Sequence, residues 1–112
     1  MSGVRISHAP DGVTTWYALY RPARPEWSTT PRAAERVALH QHGQWLDHLT
    51  RTGVCVAAGV LVDDGTEFAV LDGLERREAR SLCERDPWIA EGHATVELVP
   101  MRLSHERGSA PA

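Results

Sequence analysis

Six histidines are the side chains of this chain that change charge near neutral pH, and three of them, His40, His42 and His48, fall in one stretch. The apolar residues around them recur at spacings of three, four and seven, the period of a helix. At ~100° per residue, with His42 at zero, Leu46 lies at about 40°, Leu49 at about 340°, Ala38 at about 320° and Trp45 at about 300°. His42 therefore sits in the middle of the apolar face. His40 at about 160° and His48 at about 240° fall on the solvent side or its flank. A neutral imidazole on an apolar face can take up a proton, and a carboxylate beside it would fix its tautomer and stabilise the cation. The chemistry on offer is general acid-base catalysis. The plainer alternative is a buried histidine satisfied by a backbone carbonyl. A metal site is not expected, because His40 and His42 lie about 200° apart on the helix and cannot chelate together. No G-x-S-x-G, P-loop or dinucleotide fingerprint is present, so hydrolase-elbow, nucleotide and nicotinamide chemistry are not expected, and no cofactor is expected.

The element that must hold His42 runs from Thr30 to Gly53. Thr30 is an N-cap type and Pro31 suits the first helical position, so the helix is predicted to start near residue 31, with Ala34 opening its apolar stripe. Gly43 should cost this helix about 1 kcal/mol relative to alanine, which points to close approach of another group there. Gly53 supplies the stop. Before the helix, residues 1–12 read as a flexible lead-in. Residues 13–21 read as a strand with Trp16, Ala18 and Tyr20 on one face and Tyr17 and Leu19 on the other. Residues 22–29 form a loop whose Trp27 either plugs the core or lids His42. After the helix, residues 54–61 and 66–71 make a hairpin around Asp63-Asp64-Gly65. Residues 74–85 give a surface helix with Ala79, Leu82 and Cys83 on its inner face. Asp86 then caps a short helix opening at Pro87 and ending at Gly92. Residues 93–103 form the last strand, with Val96 and Leu98 on one face, and 104–112 a flexible tail.

This order most economically gives an α+β, ferredoxin-like βαββαβ domain over 13–103, with a four-stranded antiparallel sheet and both helices on one face. The strands are apolar on both sides, so the bare face calls for a partner, and a homodimer pairing two sheets would cover it. At 112 residues the chain can bury roughly 65% of its unfolded surface and needs no metal or disulfide to fold. Cys55 and Cys83, not in a CxxC pair, are expected as buried free thiols. With 42% hydrophobic residues, no long apolar run and no leader-like start, the chain is expected to be cytoplasmic with no membrane association. Its net charge of −3, spread rather than clustered, disfavours nucleic-acid binding.

His42 with Trp45-Leu46 and Leu49, then Gly53, Ala58-Gly59 and the Asp86-Pro87-Trp88 element, resembles the YCII-related (YciI-like) family, from about Val13 to Leu103. The resemblance implies a ferredoxin-like fold pairing into a dimeric α/β barrel. It also implies a histidine-aspartate dyad as active site, at His42 and Asp86. One branch of the family includes a cofactor-free dehydrochlorinase of aromatic degradation. The chain departs from the family pattern at Val60, where proline is usual, at Met101, where phenylalanine is common, and in the short Asp63-Asp64-Gly65 turn.

Two functions stay open. One is a cofactor-independent acid-base enzyme, of lyase, dehydrochlorinase or metabolite-tailoring type, acting on a small aromatic or enolisable molecule. In it His42 is the base, Asp86 orients it, and Trp16, Tyr20, Trp27, Trp45 and Trp88 supply the pocket walls. The other is a non-catalytic dimeric module that binds a small molecule or a protein partner. An enzyme requires a polar, solvent-connected pocket at His42, whereas a scaffold can close that space with apolar side chains. On the enzymatic reading, replacing His42 by leucine should leave the fold intact.

Overall fold

The alternation of residues 15–22 decides which side of the sheet is the inside. Trp16, Ala18 and Tyr20 are buried, while Tyr17 and Leu19 are only half-buried on the opposite face. In the computed structural model, which describes residues 3–107, this strand belongs to a mixed α+β fold. Its elements are β1 (Val4–Ile6), β2 (Thr15–Pro22), a 3-10 turn (Pro25–Ser28), α1 (Ala33–Arg51), β3 (Cys55–Val60), β4 (Glu67–Leu71), α2 (Arg76–Glu84), α3 (Pro87–Ala90) and β5 (Ala94–Met101). Residues 1–2 of the expected lead-in and 108–112 of the expected tail lie outside the described residues.

The sheet order is β1-β5-β2-β4-β3. Strands β2 to β5 pair antiparallel throughout, with Ala18 opposite both Ala69 and Leu98, an arrangement compatible with a ferredoxin-like α+β fold. The sheet has five strands, not the expected four. Val4–Ile6, assigned to the lead-in, pairs parallel to Val96–Leu98, and Val4 is buried. A three-residue strand carries too little alternation to show in sequence, and its pairing reaches across most of the chain. Arg80 and Arg76 of α2 donate to the Val4 and Ile6 carbonyls and hold this strand under the helix.

The inner residues of the strands, among them Trp16, Leu71, Val96 and Leu98, form one core with Ala38 and Leu49 of α1, Ala79 and Cys83 of α2, and Trp88 and Ile89 of α3. Each large buried side chain contributes about 1.5–3 kcal/mol through removal from water. The Trp16 indole N–H donates to the Leu74 carbonyl at 2.9 Å, which satisfies the one polar atom of that side chain. Gly53 has φ +83, the left-handed conformation that ends α1 and turns the chain into β3. Among the described residues no helix is long and apolar enough to cross a membrane.

Helix α1 begins two residues later than its cap signals indicate. Thr30 is drawn instead into the preceding turn, where its hydroxyl donates to the Glu26 carbonyl. Glu35 caps from within, accepting the Arg32 backbone N–H at 2.7 Å. The same carboxylate takes two hydrogen bonds from Arg24, at 2.7 and 2.9 Å, and a further guanidinium N–H of Arg24 donates to the Thr30 carbonyl. Glu35 is therefore buried, and Ala34, expected on the inner stripe, is exposed. The first turn of α1 rests on this ion pair rather than on apolar contact.

The hydrogen bond from Arg24, then that from the Arg32 backbone, holds the Glu35 carboxyl at about 2, below its usual 4.5. A depressed carboxyl stabilises the fold above the unfolded value, and that stability is lost as pH falls from about 4.5 towards 2. Wild-type protein should melt higher than Glu35→Gln at pH 6, and the gap should close on acidification through that window in thermal melts. Cys55 and Cys83 are both buried and free, and burial, followed by the nearby Asp86, pushes the Cys83 thiol up to about 12. A disulfide-exchange reagent should find no reactive thiol in native protein and two after denaturation without reductant.

Candidate active site

Asp86 sits where α2 ends and α3 begins, and Pro87 behind it fixes the first helical φ of α3. Its carboxylate is fully buried. One oxygen, Oδ1, accepts the backbone N–H of Trp88 at 3.0 Å, the N-cap bond expected from Asp86-Pro87. The other, Oδ2, lies 2.6 Å from Nδ1 of His42. One carboxylate thus caps α3 and holds the imidazole, joining α1 to α3 across the top of the sheet.

His42 itself is 1% exposed, whereas His40 and His48 are exposed on the outer face of α1, as the helical arithmetic requires. With Asp86 ionised and accepting the Nδ1 proton, neutral His42 keeps a lone pair on Nε2. That nitrogen has no hydrogen-bond partner among the described residues. Three rings surround the imidazole: Tyr20 edge-on with centroids 4.8 Å apart, Trp88 at 5.0 Å, and Trp45 stacked at 6.0 Å. Trp27, half-buried on the 3-10 turn, packs edge-on to Trp88 at 6.1 Å and closes the outer side of the cluster. Four of the five expected wall residues, Tyr20, Trp27, Trp45 and Trp88, therefore gather in one cluster around His42. Trp16 does not join it. Its indole is committed to Leu74, and its side chain borders a separate surface depression with Glu75 and Arg76.

A third ionisable group was missed by sequence reading. Glu67 Oε2 stands 3.6 Å from His42 Nε2, and neither atom has a hydrogen-bond partner among the described residues. Burial pushes the Glu67 carboxyl above its usual range, His42 pulls it back down, and Asp86 pushes it up again. Burial likewise raises the Tyr20 phenol well above its ordinary value, with Cys83 and Asp86 adding to it, and its hydroxyl is also without a hydrogen-bond partner among the described residues. The signal for Glu67 was available. In β4 it shares the inward phase of Ala69 and Leu71, so an acidic residue heads the buried face of an apolar strand.

Gly43 does not mark close approach of another group, because a Cβ there would meet nothing within 4 Å. It borders a groove of about 420 Å³ between α1 and the β3–β4 edge, whose walls include Leu46, Asp47, Gly59, Glu67 and Phe68. His42 is not among the groove's lining residues. Among the described residues, no group of three or more His, Cys, Asp or Glu side chains is arranged to hold a metal ion.

No family model matches the chain, and no curated protein matches it. Among solved structures it is similar to 5-chloro-2-hydroxyhydroquinone dehydrochlorinase from Burkholderia phenoliruptrix AC1100 in complex with 2,5-dihydroxybenzoquinone. The likeness has a TM-score of 0.48 at 18% identity and covers 82% of this chain and 96% of that one.

Proposed function

We propose that this chain is a cofactor-independent acid-base enzyme of the YCII-related kind, acting on a small aromatic or enolisable molecule. His42 accepts the proton and Asp86 orients the ring and stabilises the imidazolium. The observation that carries this reading is the 2.6 Å contact between His42 Nδ1 and the buried Asp86 carboxylate, with Nε2 left unbonded. A histidine kept only for packing would spend both nitrogens on protein partners. The competing reading, a non-catalytic binding module, draws on the near-complete burial of His42. On the enzymatic reading the protein works in the cytoplasm as a homodimer. Support for the dimer is the outer sheet face, where Tyr17, Leu19, Phe68, Val70, Val99 and Met101 are only half-buried.

The burial of Asp86 alters the expectation for His42→Leu. Leucine would strand a carboxylate in the core, and breaking a buried pair from one side costs about 3–5 kcal/mol. His42→Leu should therefore melt well below wild type, and adding Asp86→Asn should recover part of the loss, since asparagine caps as well as aspartate without the charge. His42→Asn retains an amide donor for Asp86 and should stay folded while turnover of an authentic substrate falls ~10²-fold or more. Full turnover by a folded His42→Asn protein would favour the binding module. Light scattering at micromolar concentration should give a dimer, and Val70→Glu, a charge on the outer sheet face, should give a monomer. A wild-type monomer would remove the barrel from the proposal.

A further inference from the structure

His42 is sealed from solvent, yet a general base must reach the proton it takes. Glu67 is an ionisable side chain that both faces the His42 ring and lines an open groove. Its side chain is 26% exposed, it lines the α1–β3 groove, and its Oε2 is the polar atom facing His42 Nε2. On the α1 wall, Gly43, Leu46, Asp47 and Thr50 recur at helical spacing, so one face of the helix borders the groove along two turns. Gly43 leaves open space beside the very turn that carries His42, at the cost of a weaker helix. A glycine there is explained by the room it leaves, not by packing.

We propose that Glu67 is the group through which the His42–Asp86 pair exchanges protons with a small uncharged molecule bound in this groove. The inference rests on the acid-base reading of His42. The Glu67 carboxylate takes a proton from an acidic O–H or C–H of the ligand. The electron pair of that bond stays on the ligand as an enolate or phenolate, and a new O–H forms on Glu67. That O–H then breaks as the proton passes to Nε2 of His42, and the imidazolium formed is neutralised by Asp86. The reverse sequence delivers a proton to the ligand, so no outside reactant is required. Burial raises the Glu67 carboxyl above its usual range, so it holds a proton more readily than an exposed glutamate while its Oε2 stays 3.6 Å from His42 Nε2.

The charged groups around Glu67 define the ligand. His42 from α1 faces it with Asp86 from the α2–α3 junction behind, the Tyr20 hydroxyl of β2 is buried nearby, and Asp47 stands in the other groove wall. Both ionisable side chains lining the groove are acidic, and no arginine, lysine or histidine lines it. Carboxylate and phosphate ligands are disfavoured there, and a neutral hydroxyl- or carbonyl-bearing ring that packs on Phe68 is favoured.

NMR on the isotopically labelled full chain tests this without a known substrate. In Glu67→Gln, exchange of the His42 ring proton with water should slow ~10-fold or more, and in Gly43→Leu, which fills the groove but keeps the carboxylate, it should slow similarly. Phenol should shift the amides of Gly43, Gly59 and Phe68 in wild type, and benzoate, an anion of similar size, should leave them in place. Exchange that ignores both substitutions, or benzoate shifts equal to those of phenol, overturns the role of Glu67. A folded His42→Asn protein that keeps full turnover of an authentic substrate would instead sink the acid-base reading beneath it. Turnover lost in His42→Asn, with exchange insensitive to Glu67→Gln, leaves that reading standing and removes Glu67 alone.

Discussion

A carboxylate at 0% exposure is the constraint from which the rest of this structure follows. Burying an ionised group without partners costs far more than a domain of this size can spare, so Asp86 must be satisfied on both oxygens. The Trp88 N–H meets one and the His42 ring the other. Each bond fixes an element. The first sets where α3 begins and how Trp88 enters the core. The second sets the rotation of α1, because the ring can reach Oδ2 only if residue 42 faces inward. With α1 so turned, Ala38 and Leu49 face the sheet, and the inward phase of β2 places Tyr20 against the same imidazole.

The parts of this arrangement that are local in sequence were legible there. Asp86-Pro87 is a capping signal with a steric reason, and the inward direction of His42 is arithmetic on a 3.6-residue period. The phases of β2 and β5 followed from alternation, down to the buried Val96 and Leu98. What failed was either too short or settled by distant partners. Val4–Ile6 joins the sheet through Val96–Leu98, far along the chain. Thr30 has the right chemistry to cap α1, but Arg24 and Glu35 organise that end first, so the helix starts at Ala33 and Ala34 faces solvent. Trp16 looked interchangeable with Tyr20, since both lie on the inner face of β2. Four residues of strand span about 13 Å, however, and that separation sends one ring to Leu74 and the other to His42.

Glu67 shows how alternation can single out an ionisable side chain as well as a buried face. An inward-phased glutamate on an otherwise apolar strand conflicts with the rule that charges avoid the core, and such local conflicts are where function is found. In β4 the conflict is softened by position. Glu67 is the first residue of the strand and lies beside the groove, so its side chain stays partly exposed while its buried Oε2 faces His42.

That position separates reach from basicity. Asp86 is sealed to hold its proton partner in one tautomer, and a dry surround strengthens that bond. The same dryness would strand a proton on His42 if nothing linked it outward. A carboxyl that is only partly buried can change charge at lower cost than one sealed in the core, while still standing close enough to face His42. The three ionisable side chains thus run from sealed to open, Asp86, His42, Glu67, each within 4 Å of the next, and the last of them lines the groove. Under the proposed acid-base function, their order of burial matches the order in which a proton would be stabilised, held and exchanged.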